Sequence, residues 1–157
     1  MNRQRGFTFI EMVVTLGLVG LLALVSLPLQ EVTSVRLKES DLRLALRQIR
    51  TAIDAYKAAA DTGMINHAVG DSGYPPNLEV LVNGVENTQD VTQAKLVFLR
   101  RIPRDPFQAD ASLPAERTWN LRSYGSPPDD PRPGADVYDV ASSSPRKGMN
   151  GISYKDW

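Results

Sequence analysis

Hydrophobic and polar residues change their pattern sharply along this chain. From Phe7 to Leu29 the side chains are almost unbrokenly apolar: Glu11 is the one charge, and Thr8, Thr15 and Ser26 are the only other polar side chains. Twenty-three residues at about 1.5 Å each make roughly 34 Å of helix, enough for a hydrocarbon core of about 30 Å. The run therefore predicts a membrane-spanning helix. Arg3, Arg5 and the amino terminus precede it, while Glu31, Arg36, Lys38 and Glu39 follow with mixed sign. The positive-inside bias then predicts a cytoplasmic amino terminus with the rest of the chain across the membrane. A cleaved secretory signal also begins with basic residues, but its apolar core is about 7–15 residues long and ends in small residues. The length of this run, the segment Ser26-Leu27-Pro28-Leu29 and the embedded Glu11 match that pattern poorly.

From Gln30 the apolar residues become periodic. Val35, Leu42, Leu46, Ile49, Ile53, Tyr56 and Ala60 recur at helical spacing, with Arg36, Lys38, Glu39, Asp41, Arg43, Arg47, Arg50, Asp54 and Lys57 between them. That is one apolar stripe on an otherwise solvated helix. No glycine or proline interrupts Gln30 to Thr62, and Gly63 is a natural stop. The expectation is one helix of about 50 residues, some 75–80 Å long, whose second half lays its stripe on a small globular domain. Met64 to Gly73 reads as a loop. Tyr74 to Val82 reads as a turn and a short helix, with Asn77 a candidate N-cap and Gly84 its end. Thr92 to Leu99 is expected to be a short helical piece, and Ile102 to Phe107 a turn held by Pro103 and Pro106. Period-two alternation predicts strands over 118–124 and 136–140, joined by an exposed connection over the proline-rich stretch 126–134, and a last short strand over 152–154.

Composition narrows the function. In 157 residues, Lys plus Arg equals Asp plus Glu at 18 each. Removing residues 1–6 would take away Arg3 and Arg5, leaving 16 against 18, or −2. No basic stripe points to nucleic acid. With no cysteine, His67 the only histidine and no carboxylate pair near it, His67 reads as a solvated loop residue rather than a metal or catalytic site. No convincing Ser/His/Asp or Cys/His arrangement can be built, and no phosphate-cradling glycine loop appears. The chain does not read as an enzyme.

Glu11 remains. An acid inside a bilayer is a functional candidate by default. Either Glu11 reaches back to the headgroups, or it meets a positive charge at the same depth. A cut after Gly6 would present such a charge, the free amine of Phe7. Within one helix that amine could pair with Glu11; between neighbouring helices the same pairing would set their stagger.

Arg5-Gly6-Phe7-Thr8-Phe9-Ile10-Glu11 followed by an apolar helix resembles the amino-terminal signature of type IV pilins and type II secretion pseudopilins. The resemblance implies cleavage between Gly6 and Phe7 by a prepilin peptidase, N-methylation of Phe7, and pairing of Glu11 with Phe7 during subunit assembly. Pro28 matches a proline often found in this helix. The implied fold is α+β and type IV pilin-like, a long N-terminal helix packed on a small antiparallel sheet. Its parts are a leader (1–6), a transmembrane and assembly half of the helix (7–29), an amphipathic half (30–62) and a globular periplasmic region (63–157).

The back half resembles major (G-type) pseudopilins in the order and spacing of Tyr74-Pro75, the block Leu99 to Phe107, Asp136 to Val140 and the ending Asn150 to Trp157. Lack of cysteine tilts the same way. The implied role is a pseudopilus subunit, self-assembled with other pseudopilins on an inner-membrane platform and helping folded proteins cross the outer membrane. It would be single-pass in a bacterial inner membrane, then part of a periplasmic filament. A type IV pilus or competence subunit, and an anchored binding domain that never polymerises, are the alternatives. G-type members often hold calcium in the carboxy-terminal loop; Asp139, Ser142, Ser143, Asn150, Ser153 and Asp156 could supply oxygens here. Against that, Arg146 and Lys147 put two positive charges in the loop, and the same side chains equally suit turn caps, with Tyr154 and Trp157 packing back to pin the tail.

Overall fold

A computed structural model describes residues 6–68, 70–92 and 94–157, with the side chains of 24–29 outside the described set. Of the expected leader, only Gly6 lies among them. The chain divides into two units, Met1–Leu37 and Lys38–Trp157, which are taken separately.

Helix α1 (Phe9–Asp61, 53 residues) runs through both. The backbone is helical through Pro28, whose side chain lies outside the described residues. From Phe9 to Ala23 the helix has no polar face, Glu11 and Thr15 being its only polar side chains. Phe9, Ile10, Met12, Val13, Val14, Leu16, Leu18, Val19 and Leu21 are each more than half exposed. A helix that is apolar all round normally lies in a membrane or among other helices. Among the described residues no helix is long and apolar enough to cross a membrane, and the last part of the expected span, 24–29, falls outside the described side chains.

In the second unit α1 supplies the core. Leu42, Leu46, Ile49, Ile53, Tyr56 and Ala60 are buried as the stripe predicts, joined by Ala45, Ala52 and Ala59. Val35, in the first unit, is half-buried. Against this face pack Ile65, Leu78, Leu81, Trp119, Val137, Val140 and Tyr154. Each large side chain so buried contributes about 1.5–3 kcal/mol. The helix ends as a Schellman motif: the Gly63 N–H donates to Ala60 O at 3.0 Å and the Met64 N–H to Ala59 O at 2.9 Å. Gly63 takes φ +73° to make that turn.

Helix α2 (Glu79–Asn83) is short. Its N-cap position is Leu78, without a side-chain bond. Asn77, one residue earlier than a cap, accepts the Val80 N–H on Oδ1 at 3.0 Å, and Gly84 closes the helix at φ +72° with its N–H on Val80 O. A Cβ on Gly84 would stand 2.9 Å from both Leu96 O and Val97 Cγ2. That crowding arises because β1 (Val85–Glu86) pairs antiparallel with β2 (Lys95–Leu96). Here the expected helical piece over 92–99 is corrected. Asn87 and Asp90 accept the N–H groups of Gln89 and Thr92, and these side-chain turns fold the chain back into a hairpin instead.

A 3-10 turn (Ala115–Thr118) leads into β3 (Trp119–Arg122), which pairs antiparallel with β4 (Asp139–Ser142) in the register Trp119↔Ser142 to Arg122↔Asp139. The second strand therefore starts later than expected. Tyr138 still reaches β3, its N–H on Arg122 O at 2.8 Å, but the Val137 N–H goes to Pro75 O at 2.8 Å. The Asp136 carboxylate takes the place of a ladder bond, accepting from Ser123 Oγ (2.6 Å), the Tyr124 N–H (2.9 Å) and Ser72 Oγ. The strand expected over 152–154 is also corrected: Lys147 and Ser153 form one isolated bridge, and Tyr154–Asp156 coil into a 3-10 turn. Among the described residues the strands make two two-stranded sheets rather than one.

Candidate assembly site

The first unit places Gly6, Phe7 and Glu11 at the start of α1. Thr8 is the last residue before the helix, and its carbonyl accepts the Met12 N–H at 3.2 Å. Its hydroxyl accepts the Glu11 N–H at 3.3 Å, while Glu11 Oε2 accepts the Thr8 N–H at 3.4 Å. These reciprocal bonds are a capping box, which satisfies two of the free N–H groups at a helix start and sets a carboxylate against its positive end. The signal, Thr-x-x-Glu, stands in the sequence, hidden there because Thr8 interrupts an otherwise apolar run. Phe7 is 81% exposed. Gly6 is exposed as well, with open space where a Cβ would stand, so among the described residues nothing covers the bond between Gly6 and Phe7.

In the second unit four of the six calcium candidates, Asp139, Ser142, Ser143 and Asn150, hold hydrogen-bond partners within the protein. Asp139 Oδ1 accepts from Arg50 Nε at 2.7 Å and from its neighbour's Val140 N–H. Ser142 Oγ donates to Asp105 Oδ2 at 2.5 Å and accepts the Ser144 N–H. Asn150 Oδ1 accepts the Ile152 N–H, closing a turn. Ser143 receives a bond from Gln108 Nε2 at 3.3 Å, Ser153 precedes the last 3-10 turn, and Asp156 is exposed. Among the described residues no group of three or more His, Cys, Asp or Glu side chains could hold a metal ion. His67 is exposed in its loop.

Three polar hubs were not legible in the pattern. Buried Asp105 accepts from Ser142 Oγ and the N–H groups of Phe107 and Ser143, and its own N–H donates to Thr118 Oγ1 at 3.1 Å. Buried Glu39 accepts the Met149 N–H at 2.7 Å and the Tyr154 hydroxyl at 3.1 Å. Burial, then the bond to Glu39, raise the Tyr154 pKa. At Asp136, burial pushes the carboxyl up, but the bonds from Ser123, Ser72 and Tyr124 outweigh it and hold the pKa below the ordinary carboxylate value.

Residues 1–27 match the family described as the prokaryotic N-terminal methylation motif. The chain is also 25% identical over 125 residues to the type IV major pilin protein PilE1 of Neisseria gonorrhoeae, an alignment covering 78% of this chain and 55% of that protein. It thus spans about half the length of the curated relative it matches. No solved structure matches. The motif and the relative together support a type IV pilin-like subunit. An α+β chain with an N-terminal helix and small antiparallel sheets fits a pilin fold.

Proposed function

We propose that this chain is a pseudopilin, a structural subunit of a type II secretion pseudopilus. A prepilin peptidase cuts between Gly6 and Phe7, Phe7 is N-methylated, and the apolar start of α1 holds the precursor in a bacterial inner membrane, with the second unit in the periplasm. Subunits then leave the membrane into a filament, where the apolar helices cover one another and Glu11 of one subunit meets the Phe7 amine of a neighbour. The observation that carries this reading is the methylation motif over residues 1–27 lying on a helix start whose apolar side chains are exposed. Cutting and methylation are tested by intact mass and amino-terminal sequencing of the protein from its native membrane. A chain starting at N-methyl-Phe7 is expected; one starting at Met1, or cut near Leu29, overturns it.

A second reading, a subunit of a type IV pilus or competence filament, is favoured by the relative, which is a type IV major pilin. Deleting the gene separates the two. Loss of secreted protein with surface pili intact supports secretion; loss of pili or DNA uptake supports the other. An anchored domain that never polymerises predicts an uncut leader.

A further inference from the structure

Calcium-binding tails gather backbone carbonyl and carboxylate oxygens around a divalent cation. In this chain three oxygens of that kind, Asp139 alone among the calcium candidates supplying one, are gathered around an arginine. The Arg50 guanidinium, on α1, donates through Nε to Asp139 Oδ1 at 2.7 Å and through Nη2 to Val140 O at 3.1 Å and Trp157 O at 2.8 Å. One carboxylate and two carbonyls, from β4 and the closing segment, thus meet one fixed positive charge. Three helical turns earlier, the Glu39 carboxylate takes the Met149 N–H and the Tyr154 hydroxyl, and between them Arg43 lies 4.4 Å over the Trp157 ring. Backbone bonds close the loop itself: the Gly148 N–H to Ile152 O (2.8 Å), the Gly151 N–H to Gly148 O (2.9 Å) and the Tyr154 N–H to Arg146 O (3.1 Å). A Cβ at Gly148 would overlap the Trp157 ring and stand 2.9 Å from Asn150 Oδ1 and 3.2 Å from Glu39 Oε1, so the loop backbone at Gly148 lies tight against these side chains. Between Ala141 and Trp157 the charges are Arg146, Lys147 and Lys155 against Asp156 alone, a balance that repels a divalent cation.

We infer that the closing segment is fastened without a metal ion. Arg50 serves as its built-in cation, and Glu39, Arg43 and Arg50 together latch residues 146–157 onto α1. The fixed guanidinium carries its charge at every calcium concentration, so the order of this segment does not follow the ion. This inference stands apart from the filament reading and survives or fails independently of it.

The test uses the full chain in detergent, with limited trypsin digestion mapped by mass at Arg146 and Lys147. Protection at these sites is expected to be the same in about 5 mM calcium chloride as in excess EGTA, above the weak end of calcium-loop affinities near 10⁻³ M. Arg50→Gln is expected to speed cleavage there about tenfold or more in both conditions, because cleavage follows the population of the opened segment. Arg50→Lys, which keeps the charge but not the three-way fork, should fall between. Wild-type protein protected in calcium and cut in EGTA overturns the inference; so does Arg50→Gln that is cut no faster than wild type. The wild-type comparison decides the matter by itself if Arg50→Gln fails to fold by circular dichroism.

Discussion

At Thr8 and Glu11 one pair of side chains serves the helix before any second subunit is present. Thr8→Ala removes one arm of the box, and a cap of this kind is worth about 0.5–2 kcal/mol. Amide exchange in the first turn of α1 in micelles should therefore quicken, while Thr8→Ser stays near wild type. Glu11→Leu should still be cut and sit in the membrane but give no filaments by electron microscopy; normal filaments would remove Glu11 from assembly. Asp136 carries a separate prediction. A carboxyl held below its unfolded pKa contributes stability above the unfolded value near 3.9, and that contribution drains away as pH falls through the lower folded value. Asp136→Asn should cost about 1–3 kcal/mol at neutral pH and flatten the acid limb of a thermal-melt profile. Tyr154 acts at the other end. Its raised pKa means stability present below about 10 and lost as pH climbs past that.

Elements were legible where one period ran unopposed. The stripe from Leu42 to Ala60 is buried as its spacing requires, and the helix stops within a residue of Thr62. Legibility failed where side chains, not periodicity, set the path. The hairpin of β1 and β2 has only two residues per strand, too short to show alternation, and depends on Asn87 and Asp90 bonding to nearby N–H groups. The late start of β4 follows from the Val137 N–H going to Pro75 O and the Asp136 carboxylate to Ser72, the latter 64 positions away in the chain. The candidate site divides the same way: Gly6, Phe7 and Glu11 stand in a local motif, whereas Glu39 and Arg50 find their partners 89 to 115 positions away and looked like ordinary members of a solvated face. Two substitutions test the element level by chemical denaturation. Ile49→Ala, at a fully buried position, should cost about 2–5 kcal/mol. Gly84→Ala should destabilise the β1–β2 hairpin, because it combines a positive φ with contacts under 3 Å to Leu96 and Val97.

For the whole molecule the exposed apolar surface of the first unit decides behaviour in solution. Side chains from Phe7 to Leu21 that stand 52–84% exposed form far more apolar surface than a soluble monomer keeps in water. The full chain should be monodisperse by light scattering only with detergent or lipid present, and should associate as detergent is withdrawn. A monodisperse monomer in plain buffer would contradict the proposed assembly surface.

The polar hubs also bear on descent. Asp105 depends on the hydroxyl of Ser142, Asp136 on those of Ser72 and Ser123, and Glu39 on the phenol of Tyr154. An acid stranded in the interior without its donors is costly, so these residues should be inherited as linked characters. A lineage that lost Asp105 should have lost the Ser142 hydroxyl as well. One that exchanged Arg50 for a neutral residue should have gained acids between 141 and 157 in compensation.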